Sequence, residues 1–200
     1  MKELLRITKC ETTLSLMEIK DPAAFRALAH PLRLELFERL AILGTATASQ
    51  LAEYVDESPA NCSFHLRQLA KFGYIERDES SDGRERPWRV LDITQQWDPA
   101  HPDPALRAPS EAFEDALHTW DEIRLRQARR SPAPAGFEGT MVSNRSTLWL
   151  TPAEAKQLSE SINALMQPYI DRWETNERPH GGRPLRLIAE MYSVPDRVEQ

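Results

Sequence analysis

Residues 58–73 read Ser-Pro-Ala-Asn-Cys-Ser-Phe-His-Leu-Arg-Gln-Leu-Ala-Lys-Phe-Gly, and the rest of the chain is interpreted from this stretch. Ser58 is a favourable helix N-cap, and Pro59 occupies the first helical position, where its missing N–H costs nothing. Gly73 supplies the left-handed residue that ends many helices. The sequence therefore predicts a helix of about four turns between these residues.

The predicted helix has one apolar stripe and a polar remainder. Cys62, Leu66 and Leu69 recur at spacings of four and three, which predicts that they are buried together. The other faces contain no acidic residue, and they carry Asn61, Ser63, Phe64, Arg67, Gln68 and Lys71. Such a face can donate hydrogen bonds to base edges and phosphates without repelling them. An ordinary amphipathic helix with a solvated polar face is the alternative interpretation.

Three further helices are predicted before this one. Asp21 caps the first, His30-Pro31 ends it and starts the second, and Thr47 caps the third. Gly44 closes the second helix, and a short polar turn at residues 56–58 leads into the fourth. The apolar residues of the three helices are Phe25, Leu28 and Ala29, then Leu32, Leu36, Phe37, Leu40 and Leu43, and then Leu51, Ala52 and Val55.

After Gly73 the hydrophobic period changes from that of a helix to that of a strand. Residues 74–78 and 88–93 are strand-like, and the polar residues 80–86 between them are centred on Asp-Gly, a strong hairpin signal. Four helices followed by a two-stranded hairpin are the plan of a winged helix-turn-helix domain, here residues 21–93.

Several spaced motifs in this domain also resemble a family. They are Phe-Arg-Ala-Leu-Ala-His-Pro-Leu-Arg-Leu-Glu-Leu-Phe at 25–37, Gln-Leu-Ala at 50–52, Cys-Ser-Phe-His-Leu-Arg-Gln-Leu at 62–69 and Gly-Tyr-Ile at 73–75. Together they resemble the ArsR-type bacterial transcriptional regulators. The resemblance implies a homodimer that binds double-stranded DNA, with its recognition helix in the major groove. We therefore expect a repressor that acts on a palindromic operator through residues 58–73 and the wing at 80–87.

The expected DNA contacts divide by chemistry. Asn and Gln pair with adenine, Arg pairs with guanine, and an aromatic ring can contact a thymine methyl, so the expected base contacts are Asn61, Phe64, Arg67 and Gln68. The expected phosphate contacts on the flanks of the helix are Ser63, His65 and Lys71. At the wing, the backbone or the neighbouring minor groove would be reached by Arg84 and Arg86.

The ligands that metal-sensing members of the family use are incomplete. Residues 49–55 precede the recognition helix without a cysteine, whereas many such members carry a Cys-x-Cys pair there. Beyond the wing, His118 is a single histidine among acidic residues, while a zinc site needs four well-placed ligands. We expect no metal and no cofactor.

The second half of the chain lies beyond the family core. Residues 94–109 are rich in proline and are expected to form an extended linker. A long helix is predicted from Ser110, strands at 146–150 and 183–192, and a capped helix from Thr151. Apolar stripes are expected on the long helix at Phe113, Ala116, Leu117, Trp120 and Ile123, and on the capped helix at Ala155, Leu158, Ile162, Leu165, Met166, Tyr169, Ile170 and Trp173.

The expected fold class is thus mainly α with a small β part (α+β). It consists of a winged helix-turn-helix DNA-binding domain and a small α+β C-terminal unit, residues 110–200, for dimerisation and effector binding. Residues 1–20 receive no assignment. A small apolar effector could occupy a pocket formed in the second half by tryptophans, although core packing is the alternative use of Trp97, Trp120, Trp149 and Trp173.

Composition limits the remaining functions. No apolar run reaches the roughly 20 residues of a membrane span, and no signal pattern precedes the first helix. Two cysteines are too few for a disulfide framework. We therefore expect a cytoplasmic protein. Nucleotide loops and nucleophile elbows are absent from the sequence, which argues against an enzyme. The net charge is −6, and residues 21–92 hold nine basic and twelve acidic residues. A winged-helix module that binds protein and not DNA therefore stays an alternative.

Overall fold

The computed structural model describes residues 17–18, 21–78, 86–93, 95–96, 103–175 and 177–194. Two compact units are present, Met1–Ala128 and Arg129–Gln200. Among the residues described, no helix is long and apolar enough to cross a membrane.

The first unit begins with four helices, α1 Pro22–Leu28, α2 Pro31–Leu43, α3 Ala48–Val55 and α4 Pro59–Lys71. The caps predicted at Asp21 and Thr47 are confirmed, and His30 is a further cap at the predicted boundary between α1 and α2. The Asp21 carboxylate accepts from the amide of Ala23, the His30 ring accepts from Leu32, and Thr47 forms a reciprocal capping box with Gln50. Asp56 adopts a left-handed conformation, φ 53°, after α3, which turns the chain into α4 within three residues.

Three short strands form an antiparallel sheet in the order β2–β4–β3, with β2 at Thr45–Ala46, β3 at Ile75–Arg77 and β4 at Trp88–Val90. Ile75 pairs with Val90 and Arg77 with Trp88, so β3 and β4 are the two sides of the predicted hairpin. The amide of Asp78 donates to the carbonyl of Pro87 at 2.9 Å and extends the pairing toward the wing. Residues 79–85, which include the predicted tip, lie outside the residues described. A separate parallel pair joins β1, Met17–Glu18, to β5, Gln95–Gln96.

One core holds the first unit together. Four leucines have no exposed surface, namely Leu36, Leu40, Leu51 and Leu66. All four lie on the apolar faces that the helical spacing predicts. Large apolar side chains of this kind each contribute about 1.5–3 kcal/mol when they are fully buried. The sheet completes the core through Tyr74, Ile75, Trp88 and Val90, which are also buried.

The long helix α5, Pro104–Arg130, begins six residues before the predicted cap at Ser110. The prediction that prolines exclude a helix up to residue 109 is therefore wrong for residues 104–109. Asp103 caps the helix by accepting from the amide of Ala105 at 2.9 Å, and Pro109 lies buried inside it. An internal proline forfeits one helical hydrogen bond, a cost that the burial of Leu106 and Phe113 offsets.

Within the first unit, the buried side chains of α5 lie in its N-terminal half. The ring of Phe113 lies 5.8 Å from that of Phe25, and Phe113 is the last buried residue among those described. Farther along, the guanidinium of Arg124 contacts Glu35 at 3.3 Å and Glu38 at 3.0 Å, both on α2. The final turns of α5 expose their apolar side chains, Ile123 and Leu125.

In the second unit the described part contains one helix, α6, Pro152–Glu174. Its predicted capping box is present, with the amide of Glu154 donating to Thr151 Oγ1 at 3.3 Å and the amide of Thr151 donating to the Glu154 carboxylate at 2.8 Å. The predicted strands at 146–150 and 183–192 are wrong, because these described stretches pair with no other segment. Their apolar side chains, including Trp149, Leu187 and Ile188, are exposed.

Candidate nucleic-acid interface

Helix α4 is fixed at both ends by the residues that its sequence predicts. The Ser58 hydroxyl accepts from the amide of Asn61 at 3.2 Å, and Pro59 occupies the first turn. At the other end, Gly73 has φ 75° and its amide donates to the carbonyl of Ala70 at 3.1 Å. These local interactions set the length of α4, and the next residue, Tyr74, enters the core directly.

The orientation of α4 follows from its buried side. Cys62, Leu66 and Leu69 have no exposed surface, which confirms the predicted stripe. The opposite side presents Phe64, Arg67 and Lys71, all exposed, at spacings of three and four. One face of α4 is therefore anchored in the core, and the other is an acid-free strip open to solvent.

The polar side chains around this strip are already engaged in local hydrogen bonds. Arg67 Nη1 donates to the hydroxyl of Ser63 at 3.2 Å, one turn earlier. Asn61 Nδ2 donates to Glu57 Oε2 at 2.9 Å, just before the helix. Asn61, Ser63 and Gln68 are half-buried, so Phe64, Arg67 and Lys71 protrude farthest. A phosphate that approaches Asn61 would therefore lie beside the Glu57 carboxylate.

The structure contradicts one predicted site residue. His65, expected on a flank of α4 as a phosphate contact, is only 8% exposed. Its ring faces inward, where Nδ1 lies 3.5 Å from Nη1 of Arg33 and the ring centroid lies 4.7 Å from that of His30. The buried stripe of α4 is thus one residue wider than its apolar residues indicated, because Arg33 on α2 supplies a polar partner for His65.

Burial and neighbouring positive charge act together on this pair of histidines. For His65, burial is the largest cause of a lowered pKa, followed by His30 and Arg33, while Glu57 acts weakly in the opposite direction. The pKa of His30 is lowered by burial and by Arg33. Both rings therefore favour their neutral forms.

Sequence reasoning missed His30 and Arg33 as part of this region. The available signal was the His-Pro-Leu-Arg segment at residues 30–33, which belongs to the motifs that resemble the ArsR type. Its helical spacing explains a cap and an apolar face, but it gives no indication that Arg33 reaches a histidine 32 residues later.

The base of the wing is a small polar and aromatic cluster. The guanidinium of Arg77 stacks on the ring of Trp88 at 3.7 Å and donates to the carbonyl of Arg86, and Arg89 pairs with Glu76 across β3 and β4. Arg86 is exposed, two residues before the returning strand β4 begins. Arg84, the other predicted wing contact, lies outside the described residues.

Cys62 is a buried thiol on the core side of α4. Burial raises its pKa, and the carboxylate of Glu57 raises it further, against a smaller opposite effect of a backbone hydrogen bond. The thiolate, which is the reactive form, is therefore disfavoured. Among the residues that the structure describes, no group of three His, Cys, Asp or Glu residues is arranged to hold a metal ion.

The tryptophans predicted to form an effector pocket do not share one environment. Trp149 is fully exposed, and Trp97 lies outside the described residues. Trp120 lines a shallow groove of about 260 Å³ between α2 and α5, together with Pro31, Leu34 and Ile123. The small apolar effector stays a prediction.

Comparison with known proteins agrees with the fold just described. A family model described as a helix-turn-helix domain matches residues 28–76, from the end of α1 to β3. The chain therefore contains a helix-turn-helix domain, and the hairpin of β3 and β4 makes it a winged one. The match falls within the winged helix-turn-helix domain that the sequence predicts at residues 21–93.

Solved structures similar to the chain include two with ArsR descriptions. One is the homodimeric winged helix-turn-helix DNA-binding domain of a possible ArsR-family regulator from Mycobacterium bovis, with 19% identity over 50% of this chain and 77% of that chain and a TM-score of 0.32. Another is an ArsR-like transcriptional regulator from Rhodococcus sp. RHA1, with 26% identity over 54% of this chain and 88% of that chain and a TM-score of 0.31.

A third similar structure is a MarR family protein of Mycobacterium tuberculosis in complex with salicylic acid, with 18% identity over 72% of this chain and 85% of that chain and a TM-score of 0.29. Comparison with the curated proteins finds no match.

Proposed function

We propose that the protein is a transcriptional repressor that binds a palindromic operator in double-stranded DNA as a homodimer, through α4 and the wing. The observation that carries the proposal is the acid-free strip of Phe64, Arg67 and Lys71, directly opposite a fully buried face of α4. A major groove about 12 Å wide admits a helix whose other side is held by the protein.

The roles within α4 follow from protrusion and chemistry. Arg67 can bind guanine with two hydrogen bonds, and the neighbouring ring of Phe64, which is 50% exposed, can contact a thymine methyl. Asn61 and Gln68 are the further base contacts, and Ser63 and Lys71 are phosphate contacts. Arg84 and Arg86 extend the contact to the backbone beside the groove. His65 is not one of the proposed phosphate contacts, because its side chain is buried.

The net negative charge of the winged-helix domain is compatible with DNA binding. The twelve acidic residues of positions 21–92 include Asp56 and Glu57, which lie just before α4. Charges farther than about 10 Å from the interface are largely screened at moderate salt, so contacts made by Arg67 and Lys71 dominate locally. The acid beside Asn61 does, however, disfavour non-specific phosphate binding at that end.

Dimerisation is the second part of the proposal. The last turns of α5 and one side of α6 expose apolar residues. Monomeric proteins rarely leave large continuous apolar patches exposed, so these residues favour a contact with another chain. A second copy would cover Ile123 on α5 and Leu165 and Tyr169 on α6. Two copies of α4, one per half-site, then account for a palindromic operator.

Selection of bound fragments from random duplex DNA by the purified protein tests the proposal. We expect a palindromic consensus with half-sites about one helical turn apart. On that site, Arg67→Ala should weaken binding by about 1–3 kcal/mol per contact and relax the preference at one base pair of each half-site, since a bidentate contact with guanine is lost. Arg145→Ala, which removes an exposed arginine of the second unit, is the matched control and should leave binding unchanged.

The competing function is a winged-helix module that binds protein and not DNA, and the exposed Phe64 together with the net negative domain favours it. The two functions give opposite results in the same experiment. No enrichment of any sequence at low salt, or an Arg67→Ala variant that binds the selected site like the unmodified protein, would remove the assignment of α4 as the recognition helix.

A further inference from the structure

Three helices meet around the side chains of His30, Arg33 and His65. Arg33 lies on α2 and donates from Nη2 to the carbonyl of Arg26 at 2.9 Å and from Nε to the carbonyl of Ala27, both at the end of α1. Its remaining terminal nitrogen, Nη1, lies 3.5 Å from Nδ1 of His65 on α4. Arg33 therefore connects α1 and α2 to the helix that carries the proposed DNA contacts.

The chemistry of this contact favours the neutral form of His65. A guanidinium has only donors, so Nδ1 of His65 can pair with Arg33 only while it is an unprotonated acceptor. The same requirement holds for His30, whose Nδ1 accepts from the amide of Leu32 at 3.2 Å to cap α2. A proton added to His65 would replace a long hydrogen bond by the contact of two cations.

The surroundings oppose that proton. His65 is 8% exposed, its ring is tilted against that of His30, and it meets the edge of Phe64 with ring centroids 5.2 Å apart. Arg33 and His30 face it from α2, and Glu57, before α4, is the acidic residue near enough to favour the proton. Burial and the two basic neighbours outweigh Glu57, and the pKa of His65 is lowered.

We propose that Arg33 and neutral His65 are positioning residues that hold α4 in its DNA-binding orientation, and that protonation of His65 releases α4 and weakens DNA binding. The inference rests on the proposed function, because it concerns the same helix. Neither residue is required to touch DNA, since the His65 ring is buried beside the exposed strip of Phe64, Arg67 and Lys71 and faces Arg33.

The sign of the pH effect separates this role from a phosphate contact. A histidine that touches phosphate gains positive charge as the pH falls, so DNA binding strengthens. For a positioning histidine with a lowered pKa, the anchored state is fully populated above the ordinary value of 6.5 and is lost progressively below it. We expect roughly threefold to tenfold weaker binding at pH 5.5 than at pH 7.5, where tenfold corresponds to one pKa unit of coupling.

The test measures affinity for the selected operator duplex at both pH values and constant ionic strength, with full-length protein. Three proteins are compared: the unmodified chain, His65→Gln, which keeps a neutral acceptor for Arg33 at every pH, and His180→Asn, which removes an exposed histidine of the second unit. We expect His65→Gln to bind within about threefold of the unmodified protein at pH 7.5 and to lose the decline at pH 5.5. His180→Asn should retain the decline.

An NMR titration of the histidine rings in the unmodified protein gives a second measurement that needs no variant. The midpoint of the His65 ring titration should lie below the ordinary value and coincide with the loss of affinity. Binding that strengthens toward pH 5.5, or a decline that His65→Gln retains, overturns the inference while leaving the proposed function intact. Absence of operator binding at every pH overturns both.

Discussion

Tyr74 shows how a single residue links the winged-helix elements. Its hydroxyl donates to the carbonyl of Ala24 in α1 at 2.9 Å, its ring meets the edge of Phe37 in α2, and it has no exposed surface. Burial raises the pKa of the phenol far above its usual range, so the group stays a donor at any accessible pH. Tyr74 therefore fixes the start of the wing to the first two helices.

The hydrogen bond of Tyr74 should be measurable by itself. Tyr74→Phe removes the donor and keeps the ring, so we expect a loss of about 1 kcal/mol in the free energy of unfolding, as for a typical buried hydrogen bond. Urea denaturation measures this loss. Tyr54→Phe, at a half-exposed tyrosine of α3, is the control and should change stability by less than about 0.5 kcal/mol. Equal losses in both variants would contradict the role of the Ala24 contact.

At the scale of elements, α5 is divided between core and surface. Phe113 is fully buried against Phe25, whereas Leu125, three turns later, is 40% exposed. The proline inside the helix lies in the buried half, where packing against the first unit offsets the lost hydrogen bond. The N-terminal half of α5 therefore belongs to the winged-helix core, although the sequence pattern placed its beginning in a linker.

Truncation of Phe113 tests whether the N-terminal half of α5 is part of the core. Phe113→Ala leaves a cavity beside Phe25, and we expect it to lower the free energy of unfolding by about 3–5 kcal/mol. Leu125→Ala, on the exposed half of the same helix, should cost less than about 1 kcal/mol. Thermal unfolding of both variants checks the difference, and a Phe113→Ala protein as stable as Leu125→Ala would mean that α5 does not complete the core.

Elements whose signals are local could be predicted from the sequence, and those that depend on distant partners could not. The caps at Ser58, Thr47 and Thr151 involve residues three apart, so they were predicted correctly. Residues 146–150 and 183–192 have strand-like composition, but a strand needs a partner, and neither stretch has one among the residues described. In the candidate site, the exposed and buried faces of α4 were predictable from spacing. The inward orientation of His65 depends on Arg33, which no local pattern indicates.

Helix α6 carries the apolar residues proposed for the contact between copies. Leu165 and Tyr169 are 72% and 66% exposed and lie one turn apart on the same side. Leu165→Glu would place a charge in that contact, so we expect the dimer to dissociate at micromolar concentration in sedimentation experiments. Gln157→Glu, which adds the same charge at an exposed polar position of α6, should leave the dimer intact. If Leu165→Glu stayed dimeric, α6 would not form the interface.

Over the whole molecule the net charge is negative, whereas the exposed face of α4 carries basic residues and no acidic ones. A chain of net charge −6 cannot coat DNA non-specifically, so its affinity must come from a few basic residues placed at the interface. The acid-free strip of α4 and the exposed Arg86 at the wing are such positions. If the proposed function holds, this arrangement favours a regulator with modest non-specific affinity and a preference set mainly by the bases that α4 is proposed to contact.

Salt dependence distinguishes the two kinds of contact in a homodimer. Removal of a phosphate contact lowers the slope of log affinity against log salt by about 0.9 per phosphate, and a dimer loses two such contacts per substitution. Arg86→Ala should therefore weaken binding to all duplexes alike and lower the slope by about two, whereas Arg67→Ala should change the preferred sequence. Titrations of the selected operator and of an unrelated duplex at several salt concentrations measure both quantities. A change in slope of about one would indicate that a single subunit contacts the DNA, and an unchanged slope would exclude Arg86 from the interface.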